Sequence, residues 1–248
     1  MSQYSMDHLP PIPPESTMQV RPLEPDRTYL VSAFVQMGLG LLLTALTAFI
    51  FLVSGGALFI LSHSTTLSLL LLVAQLGIAV AFGVMMQKAS ANTLRLMFFA
   101  YAVLTGITFS TLGLVYTGST LFFAFIISAV YYFCLAFVGL TTKRDLNNLG
   151  LICLVGLIVL LVSSLVLALF GAGMNIILYS AIGLILFTGI TCWDVQRMKT
   201  IMASMEGDEI TKSKWTVYFA LELYLDFINI FLYVLRLFAA GSGSNSRR

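Results

Sequence analysis

Three carboxylates in this chain stand where a carboxylate is costly. Asp194, Glu222 and Asp226 lie in or at the edge of long apolar runs, whereas the other eight of the eleven acidic residues fall in polar stretches. An ionisable group in the core of a bilayer costs at least about 2.5–3.5 kcal/mol on insertion scales, so it ordinarily faces the protein interior and marks a pathway or a proton site. The plainer alternatives are a helix-packing hydrogen bond, an inert protonated carboxyl or, for Asp194, an ordinary place at the membrane interface. Glu222 and Asp226 begin a polar seam continued by Asn229, Tyr233 and Arg236, and spacings of 4, 3, 4 and 3 residues put all five on one helical face. Such a face is expected to turn away from lipid. Tyr233 and Arg236 also read as anchors at the outer end, with Arg236 snorkelling to the surface.

Two carboxylates close together in low dielectric cannot both ionise freely, so they share a proton and titrate as a unit. Protonated, such a pair is latched by a carboxyl–carboxylate hydrogen bond. Deprotonated, it repels itself or coordinates a hard cation through oxygen, as calcium prefers. This chemistry points to proton-gated passage or binding of a cation. Hydroxyls that could meet the seam recur at helical spacing: Tyr101, Thr105 and Thr108 in one run, Thr188 and Thr191 in another. Threonines in membrane helices more often serve the backbone or a neighbouring helix than a ligand. Gly106, Gly183 and Gly189 read as sites of close helix approach. Cys134, Cys153 and Cys192 have no CxxC spacing and read as small packing residues, and His8 and His63 fall outside the apolar runs. No nucleotide loop, haem or zinc spacing, or nucleophile with a partner base is present. No catalytic residue and no cofactor are expected, apart from calcium at Asp194 and Asp226.

The elements that must position these groups are membrane helices. Charged residues make up 10% of the chain and hydrophobic residues 59%, against roughly 25% charged in a soluble domain. A net charge of +2 without a basic patch gives no case for a nucleic-acid partner. Seven apolar runs, at about 29–53, 66–86, 96–116, 120–140, 149–171, 174–194 and 216–238, are each long enough to cross a bilayer core of about 30 Å. The fold class is therefore an all-α integral membrane protein of seven spans. Residues 1–28 hold all six prolines and read as an extended arm that is not a cleaved signal; 29–238 form the membrane domain; 239–248 read as a flexible tail. Arg21, Arg27, Lys88, Arg95, Lys143, Arg144, Arg197, Lys199, Lys212 and Lys214 all belong to one side, which is expected to be cytoplasmic. That puts the N-terminus inside a cell (inner) membrane and the C-terminus outside, with Arg247 and Arg248 a mild exception. Trp193 and Trp215 read as interfacial anchors. Counted from Trp215, Asp226 lies about 16 Å deep, whereas Asp194 is shallow and better matched by Glu222. Tilt or a water-filled vestibule would bring Asp194 and Asp226 level.

At these residues the chain resembles the Bax inhibitor-1 family, in its bacterial branch. The matching stretches are LTGITFS at 104–110, TTKRDL at 141–146, FTGITCWDVQRMK at 187–199 and LYLDFINIFLYVLRLF at 223–238, and the likeness runs from about 27 to 238. The resemblance implies six helices surrounding a central C-terminal one. It also implies a pH-sensitive calcium leak gated by aspartates on spans 6 and 7, which by motif are Asp194 and Asp226. Three departures bear on the site. Asp194-Val195-Gln196 stands where the family usually has a threonine in the middle, removing a hydroxyl. Met85-Met86-Gln87-Lys88 stands where some relatives carry a latching arginine, leaving Lys88 as the nearest cation. Glu222 adds a third carboxylate that could join the pair.

Two other classes of function compete. One is an interaction protein that modulates other membrane proteins, such as a quality-control protease, for which the N-terminal arm is suited. The other is an intramembrane aspartyl protease. The glycine-x-glycine-aspartate motif of those enzymes is absent, since Leu223-Tyr224-Leu225 precedes Asp226, and no proline follows Pro25.

Overall fold

In lipid every backbone N–H and C=O must find its partner within the protein, which leaves long apolar runs little choice but helix. The computed structural model describes residues 27–62, 64–170, 175–205 and 208–244, and all its regular elements are helices. These are α1 (Arg27–Val53), α2 (Gly56–Ser62), α3 (Ser64–Met85), α4 (Ala91–Phe109), α5 (Leu112–Val115), α6 (Gly118–Thr141), α7 (Asn147–Leu169), α8 (Ile176–Ser204) and α9 (Glu209–Ser244). Seven are long and apolar enough to span a membrane, α4 and α5 counting as one. The proline-rich arm up to Asp26, with His8 and Arg21, lies outside the described residues, as do His63, Gly171, Gly173 and the terminal Asn245–Arg248.

The helix ends follow local chemistry. Ser90, Thr117 and Asn175 each accept the backbone N–H three residues on, capping α4, α6 and α8. Asp208 does the same for Thr211 at the start of α9. Gly55, at φ +79°, supplies the left-handed turn between α1 and α2. The break between α4 and α5 falls at Ser110 and Thr111, whose hydroxyls bond the carbonyls of Ile107 and Thr108. The last two long helices outrun the apolar stretches that announced them. α8 continues to Ser204 and α9 begins at Glu209, because Met198, Met202 and Val217 are buried there against the bundle. α9 also stays helical into the stretch expected to be a tail.

α9 is the most buried of the spans, and α3 the least. α9 packs along α1, α4, α6 and α8, whereas α3 leans mainly on α4 and α7 on α8. Extended contact with the last helix thus comes from four helices; α3 reaches it through Phe82 against Tyr218. Bare backbone makes the tightest crossings. A Cβ on Gly106 would lie 2.6 Å from the Thr44 carbonyl oxygen, and one on Gly139 2.7 Å from that of Cys192. One on Gly189 would meet the Cys153 sulfur. Where small residues allow such approach, membrane helices gain their van der Waals contact. Thr44 adds a polar tie: its hydroxyl lies 3.0 Å from the carbonyls of both Gly40 and Ala102, and 2.7 Å from the Tyr224 hydroxyl. The single Thr44 proton serves a carbonyl, so Tyr224 donates, and α1, α4 and α9 are joined at one oxygen.

Candidate functional site

α8 and α9 run antiparallel, and one crossing sets their register. Gly183 of α8 lies so close to the Tyr233 ring of α9 that a Cβ would collide with it. Counting from that crossing toward the lysine- and arginine-bearing face brings Thr191 beside Asp226, and Asp194 beside Glu222. Asp194 and Asp226 are both buried, at 6% and 4% exposure, and lie within electrostatic reach of one another. The mismatch in depth is therefore real but amounts to about one helical turn.

Glu222 is paired to Arg197 and still lies within electrostatic reach of both aspartates. Both its oxygens accept from Arg197 Nη2, at 2.6 and 2.7 Å. The guanidinium lies 4.8 Å from the centre of the Trp193 ring and about 6 Å from those of Tyr218 and Phe219. Arg197 is also the cation that reaches Asp194. Lys88, the nearest cation by sequence, is exposed in the turn between α3 and α4 and makes no ion pair among the described residues. One arginine thus neutralises one of three carboxylates, at the charged end of the site.

A turn deeper, three polar atoms from three helices are buried without hydrogen-bond partners: Asp226 Oδ2 on α9, Thr191 Oγ1 on α8 and Tyr132 Oη on α6. Thr191 lies near enough to interact with Asp226, yet the two lack the geometry of a formed hydrogen bond. Tyr132 is wholly buried, packs edge-on to Phe227 at 5.6 Å, and feels both aspartates. A buried polar group left unpaired forfeits about 1–3 kcal/mol, so these three atoms are places where a water, a proton or an ion would be stabilised.

The rest of the seam serves structure. Asn229 donates to the Leu225 carbonyl at 2.8 Å. Tyr233 packs against Gly183, Tyr179 and Phe187, and Arg236 lies 5.8 Å over the Tyr233 ring. Thr105 and Thr108 return their protons to Tyr101 and Leu104, and Thr108 also accepts from Gln75; Thr188 bonds Leu184 and Tyr131. Of these threonines, Thr191 is the one turned to the aspartates. Val195, whose missing hydroxyl looked like a loss, faces Gly139 on α6, so a hydroxyl there would meet α6. Two members of the site escaped the sequence reading. Arg197 counted as a loop charge, although it stands one turn from Asp194. Tyr132 sits in a run of aromatics, Tyr131-Tyr132-Phe133, with nothing local to separate a site phenol from a core one. No three side chains of the metal-binding types converge among the described residues. A calcium ion here would have to fill most of its six to eight oxygens with hydroxyls, carbonyls and water.

The family model described as inhibitor of apoptosis-promoting Bax1 matches residues 26–243. Inner membrane protein YbhL of Escherichia coli strain K12 is 33% identical over 226 residues, covering 91% of this chain and 97% of its own. An uncharacterized protein of Rickettsia prowazekii is 34% identical over 210 residues, covering 85% and 88%.

Proposed function

The chain belongs to the Bax inhibitor-1 family, and on that premise we propose that it is a pH-sensitive cation leak, with calcium as the ion and Asp194 and Asp226 as the gate. The observation that carries this reading is Asp226: a carboxyl in the most buried span, with one oxygen unpaired and a second aspartate in reach. Its obvious counter-ion, Arg197, is committed to Glu222. Asp226 faces the charge of Asp194, both aspartates also feel Glu222 and Arg197, and a proton shared between the aspartates is the simplest closed arrangement. Losing that proton leaves two anions that separate or admit a cation. Flux should accordingly rise as pH rises through the titration of the pair.

The ion would approach past Arg197 and Glu222 and meet Asp194 before Asp226. The lysine- and arginine-bearing face is taken as cytoplasmic, with the N-terminus inside and the C-terminus outside an inner membrane, the compartment for which the relative YbhL is named. The test is calcium flux in proteoliposomes across a pH series. Asp226→Asn keeps the hydrogen-bonding shape without the charge and should hold flux low and independent of pH. Unchanged flux and an unchanged pH response in that variant would overturn the reading.

A further inference from the structure

A second polar feature lies at the charged end of the bundle and shares only Arg197 with the aspartate site. The loop from Thr142 to Leu146 and the end of α8 enclose a cavity of about 440 Å³ whose walls include Lys143, Arg144 and Lys199. Arg197 also borders it but is held by Glu222. The single acidic wall residue, Asp145, accepts the Asn147 backbone N–H at 2.9 Å and forms no ion pair with these cations among the described residues. Among the described residues, three cations therefore share one cavity without an ion-paired carboxylate.

The cavity is held in shape. Gln196 donates to the Arg144 carbonyl at 2.7 Å and accepts the Leu146 N–H at 2.9 Å, stapling both sides of the loop to α8. Lys199 closes the end of α6 by donating to the Leu140 carbonyl at 2.7 Å, which leaves its other two N–H donors for the cavity. Thr142 and Thr200 also line it, the Thr142 hydroxyl accepting the Arg144 N–H and the Thr200 hydroxyl donating to the Gln196 carbonyl. Such a set suits phosphate: cations carried on a stapled loop and on α8 that make charge-assisted bonds to several oxygens. The position says which phosphate. Trp193, hydrogen-bonded to Asn147 at 2.9 Å, stands beside the cavity at a depth where tryptophan marks the membrane interface. Val138 of α6 and Leu149 and Ile152 of α7, close in sequence to the lining residues Thr142 and Asn147, present exposed apolar surface.

We propose that this cavity binds phosphate oxygens presented by the headgroup of an acidic phospholipid, whose acyl chains lie along α6 and α7. The charged head meets Lys143, Arg144 and Lys199, and the tails meet the apolar collar below. Basic pockets between membrane helices recognise anionic headgroups by this division of labour. The proposal is independent of ion flux.

The test is native mass spectrometry of the full chain in detergent, titrated with phosphatidylglycerol, with phosphatidylcholine of the same acyl chains, and with inorganic phosphate. Phosphatidylglycerol should bind more tightly than phosphatidylcholine. Lys143→Gln with Arg144→Gln should weaken it about thirtyfold, roughly fivefold per surface cation, and leave phosphatidylcholine unchanged. Both side chains are exposed, so folding is not at stake. Lys88→Gln with Arg95→Gln removes two charges from the same face of the bundle and should leave lipid binding unaltered. Equal binding of the two lipids, or equal losses in the two double variants, would overturn the proposal. Inorganic phosphate that binds one per chain and is weakened by the cavity variants, while phosphatidylglycerol is not, would overturn the lipid source.

Discussion

At the scale of the residue, the site separates into an ion-paired half, in which Arg197 Nε still lacks a partner, and a half without an ion pair. Arg197 and Glu222 are paired, partly buried and braced by Trp193, Tyr218 and Phe219. Glu222→Gln should lower stability by about 2 kcal/mol, since it strands a partly buried guanidinium. Adding Arg197→Gln should restore much of the loss, and a double-mutant cycle on unfolding in detergent reads the coupling. Tyr132, Thr191 and Asp226 behave oppositely, because their unpaired atoms are poised for a water, a proton or an ion. Tyr132→Phe removes one such atom while preserving shape. It should leave the unfolding midpoint unchanged or raised, yet displace the pH at which calcium flux turns on. Tyr224→Phe is the contrasting case, since that phenol is bonded to Thr44. It should cost about 1 kcal/mol and leave the pH response where it was. If both phenylalanine variants displace the pH response alike, Tyr132 has no special place beside the aspartates.

At the scale of the element, backbone contacts and caps decide what the helices tolerate. Gly106→Ala drives a methyl into the Thr44 carbonyl of α1, and Gly139→Ala drives one into the Cys192 carbonyl of α8; neither wall is a side chain that can swing aside. Each should destabilise by about 1–3 kcal/mol, while alanine at Gly38 or Gly77, which have open space, should not. Thermal unfolding of the four variants in one detergent compares them directly. The start of α9 adds a pH effect outside the membrane. The Asp208 carboxyl is held below the usual carboxylate range, first by the Thr211 hydroxyl and then by the Thr211 backbone N–H. Its cap is therefore fully present above the ordinary carboxylate range and fades as pH falls through the lowered value. Protection of the Thr211 amide, taken relative to the intrinsic exchange rate at each pH, should fall in acid, and Asp208→Ala should show that lost protection at neutral pH.

At the scale of the whole molecule, the proposed orientation puts Arg27 and Ser244 on opposite sides of the membrane, with the lysine- and arginine-bearing face inside. A reporter fused after Ser244 should be active only in the external compartment; activity in the cytoplasm would reverse the orientation and, with it, the order in which an ion meets Asp194 and Asp226. Much of this was settled by residue type alone. The number of spans follows from apolar length against bilayer thickness, the inward turn of α9 from its polar seam, and the burial of Asp194 and Asp226 from what a carboxylate in lipid costs. All three are local or periodic properties, legible one helix at a time. Partnership was not legible in that way. The choice of Glu222 rather than an aspartate for Arg197, the arrival of Tyr132 from α6, the turning of Val195 onto Gly139 and the stapling of the 142–146 loop by Gln196 each depend on how helices distant in sequence cross. Those crossings are set by the bare backbone at Gly106, Gly139 and Gly183, where the identity of one small residue matters only once its neighbour is in place.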